Sequence, residues 1–146
     1  MPTILLGSDH AGFTLKEAIK RFLKSSGFEI KDLSPDLTPG DDYPPVAKQA
    51  ARDVAANNPS HAILFCGSGY GMDIVANRFK GIRAIVARTP QDAILSRQDD
   101  HSNILVLGGR VTKPAQATKI VKAWLMTKPS KAKRHLRRLQ EIDQIK

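Results

Sequence analysis

"HAILFCGSGYG", residues 61–71, is an apolar run of six that ends in a cysteine and breaks into three glycines within five residues. An apolar run of that length, bounded by turn residues, reads as a strand buried on both faces. The glycines turn the chain, and residues 71–79 resume at helical spacing. Strand, glycine turn and helix form the unit from which parallel α/β sheets are built.

The alternation continues in both directions. "TILLG" (3–7), "FEIKDL" (28–33), "IRAIVA" (82–87) and "NILVLGG" (103–109) predict four more strands. Between them, "LKEAIKRFLKSSG" (15–27) sets Leu15, Ala18, Ile19, Phe22 and Leu23 at helical spacing before Gly27. "VAKQAARDVAANN" (46–58) predicts an Ala-rich helix that stops before Pro59, after a Pro-, Gly- and Asp-rich loop over 34–45. "PQDAILSRQ" (90–98), "KPAQATKIVKAWLMT" (113–127) and a charged segment from 131 supply the remaining helices. The expectation is a Rossmann-like, doubly wound α/β domain spanning residues 1–146. Its five parallel strands carry helices on both faces.

Composition narrows the class. Hydrophobic content of 41% and charged content of 25% are those of an ordinary globular protein. One cysteine excludes an internal disulfide framework and fits a reducing compartment, so a cytoplasmic location is expected. "MPTILLGSDH" has no basic stretch ahead of its short apolar run, unlike a signal peptide. No stretch approaches the roughly 20 apolar residues of a membrane span. The net charge of +9 is uneven: residues 128–146 hold seven Lys or Arg against two acids. Such a tail suits nucleic acid, an anionic membrane, a phosphorylated small molecule or plain solvation.

In doubly wound sheets ligands bind beyond the carboxyl ends of the strands. Here those ends read "GSDHAG" (7–12), "CGSGYG" (66–71) and "GGR" (108–110). Two nucleotide motifs fail there. "GSDHAG" has phosphate-loop spacing, but Phe13-Thr14 replaces the required Lys-Ser/Thr; "GSGYGM" has Met72 in place of its third glycine. A glycine turn still exposes backbone N–H groups able to hold an anion or a developing oxyanion. At its mouth, Cys66 could be a nucleophile, a proton-transferring base or a small buried hydrophobe. Asp9 and His10 stand where a ligand would, or where a helix needs a cap. Arg134 and Arg138, four apart, share a helical face that suits a phosphate. No aromatic residues interleave with these cations as in single-strand binders. Met72, Trp124 and Met126 read as core or interface residues, and His61 and His135 as surface residues.

Seven stretches in order resemble the ribose-5-phosphate isomerase B family, which also contains galactose-6-phosphate isomerase subunits. They are "GSDHAGFTLK" (7–16), "DYP" (42–44), "CGSGYG" (66–71), "IVANRFKGIRA" (74–84), "LSRQ" (95–98), "NILVLGGR" (103–110) and "RHLRR" (134–138). The resemblance implies an aldose–ketose isomerase without metal or cofactor, acting on a phosphorylated sugar. It also implies a homodimer, or a tetramer, with interfacial sites and a C-terminal helix extending to the partner subunit. No nucleic acid or membrane partner is implied.

By the same resemblance Cys66 is the base, Ser68 assists ring opening, and the loop Gly67, Ser68, Gly69, Tyr70 and Gly71 holds the enediolate. Asp9 and Tyr43 contact hydroxyls. His10, Arg134 and Arg138 hold phosphate, with Arg110 coming from the partner. One pair of positions departs. After "SRQ" the family has His-Asn, whereas this chain has Asp99-Asp100, followed by His101. Asp99 is then expected to open the ring and Asp100 to bind substrate. Ribose 5-phosphate is the expected sugar, with a tetrose 4-phosphate or hexose 6-phosphate as alternative enzyme readings. A non-catalytic sugar-phosphate or nucleic-acid binder is the alternative outside the enzymes.

Overall fold

A computed structural model describes residues 3–56 and 60–146. Five parallel strands form one sheet: β1 (Ile4–Ser8), β2 (Ile30–Asp32), β3 (His61–Cys66), β4 (Ala84–Val86) and β5 (Ile104–Gly108). Their order is β2-β1-β3-β5-β4. Six helices connect or follow them: α1 (Phe13–Ser25), α2 (Pro44–Ala56), α3 (Tyr70–Ala76), α4 (Pro90–Asp100), α5 (Pro114–Met126) and α6 (Lys133–Asp143). The doubly wound expectation holds.

Alternation along the strands builds two cores. Ile4, Leu6, Ile63, Phe65, Leu105 and Leu107 pack under α1, α4 and α5, where Trp124 is fully buried. Leu5, Ala62, Leu64, Cys66, Ile104 and Val106 pack under α2 and α3. Period-two alternation thus sends the Cys66 side chain to the α2–α3 side at the last position of β3. Among the described residues no helix is long and apolar enough to cross a membrane.

The two edge strands are shorter than the apolar runs that encode them. β2 covers three residues of 28–33, and β4 three of 82–87. Each pairs on one side only, so the outer residues of these runs lack a second ladder to hold them extended. β1 and β5 shift or shrink by a residue at their ends, within ordinary boundary scatter. α2 begins two residues early, on Pro44 and Pro45, where proline is tolerated. The expected stop before Pro59 falls outside the described residues. α3 ends at Ala76, short of 79, because Asn77 ties down the chain: its amide donates to Ala84 O at 2.9 Å and accepts from Ala84 N at 2.8 Å.

α1 also carries a buried cation. Lys16 is fully buried, with Nζ 2.7 Å from Asp32 Oδ2 and 2.5 Å from Ser34 O. Lys20 reaches the same carboxylate at 2.8 Å. Burial pushes the Asp32 carboxyl up, but hydrogen bonds from Lys16, Lys20 and the Ser34 N–H outweigh it, and the net shift is downward.

Candidate active site

β1 runs on through α1 to β2 on one side of the sheet, whereas β3 leads toward β5 on the other. The chain therefore reverses its winding between β1 and β3, and a crevice opens at the carboxyl ends of that pair. There a cleft of about 450 Å³ is lined by Asp9, His10, Tyr43, Cys66, Gly67, Ser68, Gly71 and Arg110, with Ala11 and Val111.

The cleft is built from the turn after β3. Gly69 has φ +93, a left-handed backbone that side-chain-bearing residues avoid, and it starts α3. This turn aims the Gly69 N–H at Cys66 Sγ, 3.2 Å away. Cys66 is buried, only 4% exposed, yet it borders the cleft. The neighbouring Tyr70 N–H donates to Ser68 Oγ at 3.3 Å. Two of the loop's donors are thus engaged within the protein rather than held for a substrate oxygen.

The β1 end supplies the opposite wall. Asp9 is buried, and its Oδ1 accepts from the Gly12 N–H at 3.0 Å, closing the turn ahead of α1. His10 is exposed and docked on Asp41: its N–H donates to Asp41 Oδ1 at 2.7 Å. Its Nδ1 lies 3.1 Å from Asp41 O and 3.2 Å from Asp41 Oδ1. Nδ1 faces two acceptors and therefore donates, leaving Nε2 as the free ring nitrogen. Asp41 was not singled out in the sequence, where it is one of several acids in the 34–45 loop. Tyr43 closes the cleft with the hydroxyl end of its ring over Gly71. A Cβ there would sit 2.4 Å from the Tyr43 ring, so only glycine admits the aromatic wall.

Arg110 was expected from the partner subunit; in this chain its guanidinium lies over its own Gly67, 3.1 Å from where a Cβ would stand, and its side chain lines its own cleft. Tyr70, also expected at the substrate, turns outward; it is exposed, its hydroxyl accepts from Arg88 Nη2 at 2.8 Å, and Arg88 stacks on its ring. Arg88 was not anticipated.

Four expected site residues are elsewhere. α4 starts after the carboxyl end of β4 and returns to the amino end of β5. Its last residues, Asp99 and Asp100, therefore lie across the sheet from Cys66. α6 packs on α4, which puts Arg134 and Arg138 near that same edge. The link is His135, whose Nε2 is 3.6 Å from Asp99 Oδ1. His135 is 8% exposed, contrary to its expected surface position, because it lies one helical turn before buried Leu139. His61 is half-buried, edge-on to Trp124 at 5.4 Å, and Met126 is exposed rather than core.

His101 is also tied at this edge. It adopts φ 48 at the end of α4, and its Nε2 lies 2.7 Å from Ser130 O on the way into α6. Among the described residues no three His, Cys, Asp or Glu side chains converge as a metal site.

A parallel α/β sheet with a thiol, an imidazole and a carboxylate gathered at its switch point is the framework of a small-molecule enzyme. Residues 4–142 match the Ribose/Galactose Isomerase family, and the chain belongs to it. It is 41% identical over 145 residues to the ribose-5-phosphate isomerase B of Escherichia coli K12, covering 99% of this chain and 97% of that protein. The solved ribose 5-phosphate isomerase of Thermotoga maritima superposes with TM-score 0.93 at 40% identity, over 99% of both chains. The Mycoplasma genitalium ribose-5-phosphate isomerase B, solved with bound ribulose-5-phosphate, superposes at TM-score 0.91 and 36% identity. It covers 97% of this chain and 93% of that one.

Proposed function

We propose that residues 1–146 act as one isomerase domain that interconverts ribose 5-phosphate and ribulose 5-phosphate. The observation that carries this reading is the Cys66 sulfur at the switch-point cleft, hydrogen-bonded by Gly69 N–H and facing Asp9, His10 and Ser68. As thiolate, Cys66 takes the C2 proton of the open-chain aldose, leaving an enediolate with its charge spread over O1 and O2. The thiol returns that proton to C1, and the hydroxyl proton passes from O2 to O1. Bonds and charges balance without a redox partner. Asp9 and Tyr43 hold sugar hydroxyls, and Ser68 assists the oxygen proton transfer. His10, its Nδ1 satisfied by Asp41, offers Nε2 to the phosphate, with Arg110 beside it.

The second half of the site comes from another copy of the chain. Asp99, Asp100, Arg134 and Arg138 are at the wrong edge to meet their own Cys66, so a homodimer would place one chain's α4–α6 patch over the partner's cleft. Arg134 and Arg138 then clamp the phosphate and Asp100 binds a hydroxyl. Asp99 takes the ring-opening role as the base for the anomeric hydroxyl proton, with His135 Nε2 3.6 Å behind it. The free thiol fits a reducing, cytoplasmic setting.

Two measurements test this. Wild type should turn over ribose 5-phosphate at least tenfold better in kcat/KM than erythrose 4-phosphate, about 1.4 kcal/mol of transition-state binding. Asp99→Asn should cripple the pentose reaction and spare the tetrose, which cannot form a furanose because its O4 is esterified. A wild-type preference for the tetrose would overturn the substrate. Arg134→Ala and Arg138→Ala should each raise KM for ribose 5-phosphate about tenfold, the loss expected for one charge-assisted phosphate contact. Unchanged KM in both would remove the clamp.

A further inference from the structure

A cavity of about 610 Å³ lies at the amino-terminal edge of the sheet, where β3 and β5 begin and β4 is approached. Its wall includes Lys80, Arg83, Arg97, His101, Asn103 and Asp143. A second cavity of about 340 Å³ shares Arg97 and His61 with it and is lined by Phe28, Trp124 and Met126. We propose that these adjoining cavities form a second ligand site, which takes an anionic small molecule bearing a flat ring, of the nucleoside monophosphate class.

The charge arrangement favours an anion. Arg83 and Arg97 clamp the same turn, Arg83 Nε donating to His101 O and Arg97 Nη1 to Ser102 O. Arg83 has one acidic partner, Asp143, at 3.6 Å. Among the described residues neither Arg97 nor the exposed Lys80 has a carboxylate within ion-pair distance. Burial, and then the charge of Arg83, both disfavour charged Arg97. An anion between the two guanidiniums would relieve that repulsion and use their fork geometry. The volume lies within the range of ordinary ligand pockets, roughly 300–1,000 Å³.

The aromatic wall favours a ring. Arg97 stacks over Trp124 at 5.6 Å, and His61 meets it edge-on. Trp124 is fully buried behind them, so a flat heterocycle in the smaller cavity would pack on half-buried Phe28 and His61 while its phosphate met Arg83 and Lys80. Asp143, the carboxylate already on Arg83, would be its competitor.

The readout is built in, because Trp124 is the only tryptophan. Adenosine monophosphate titrated against the intact protein should change Trp124 emission saturably. Its Kd should be at least tenfold below that of inorganic phosphate or ribose 5-phosphate at the same site, about 1.4 kcal/mol. Lys80→Ala and Arg83→Gln should each weaken binding severalfold, Asp143→Asn should tighten it, and Arg134→Ala/Arg138→Ala, which removes the proposed phosphate clamp of the active cleft, should leave it unchanged. No saturable change at roughly millimolar nucleotide would overturn the proposal. So would affinity indifferent to Lys80 and Asp143, or stronger binding of a single-stranded oligonucleotide. No turnover is measured, so the outcome is independent of the isomerase reading.

Discussion

Cys66→Ala is expected to lower kcat for aldose–ketose interconversion by about 10²-fold or more, while KM stays nearly constant. On the proposed mechanism the proton moved from C2 to C1 is carried by the Cys66 sulfur. Asp9 also borders the cleft, but its Oδ1 is engaged by the Gly12 N–H in closing the turn ahead of α1. In the proposed arrangement the phosphate contacts do not involve the sulfur, so ground-state binding should survive. Cys66→Ser should be nearly as slow, because a hydroxyl at neutral pH supplies far less anion than a thiol. Steady-state kinetics of both variants with ribose 5-phosphate checks this. Near-normal turnover in the alanine variant would reduce Cys66 to a buried apolar residue.

The largest loss of stability is expected at Asp32, away from the cleft. Asp32→Ala takes from Lys16, fully buried in α1, the carboxylate at 2.7 Å and leaves Glu17 Oε1 at 3.3 Å as its remaining charged partner. Removing one partner of a buried pair costs about 3–5 kcal/mol, a fall in Tm on the order of 10 °C for a chain of this size. The acid limb of stability should change with it. The folded Asp32 carboxyl is held below its ordinary value, so its contribution is complete above the unfolded pKa of about 3.9. It is lost as pH falls through the lower folded value. Wild type should therefore lose stability steeply in that range, and the variant less so. Thermal melts from neutral pH down to about pH 3 would show the difference. Equal acid slopes would mean that Lys16 is satisfied by Ser34 O and Glu17 alone.

The sheet was legible because each strand is an uninterrupted apolar run and each helix has its own spacing. The β3 turn was legible because Cys66, Gly69 and Gly71 are local to one another. Strand order was less so: nothing in "IRAIVA" indicates that β4 lies outside β5. Long-range partners were also hidden. Asp41 meets His10 from 31 residues away, and Arg88 meets Tyr70 from the far side of α3 and β4. His135 could have been placed by period alone, since its spacing to Leu139 puts both on the buried face. Its basic neighbours argued for the surface instead. The division of the candidate site between two sheet edges was readable only once the return path of α4 was known, because in sequence Cys66 and Asp99 are separated by little more than one strand and two helices.

That division predicts rescue between inactive partners. Suppose Cys66→Ala chains and Arg134→Ala/Arg138→Ala chains are unfolded together and refolded as a mixture. In a symmetric dimer with shared sites, a mixed pair contains one ruined site and one wholly wild-type site. Random reassortment makes half of the dimers mixed, so about one quarter of wild-type activity should return at subsaturating substrate. Neither parent has that activity alone. If each chain assembled its own complete site, the mixture would show only the mean of its two parents. Two damaging alleles of this gene would then complement each other in one cell under the first arrangement and fail to do so under the second.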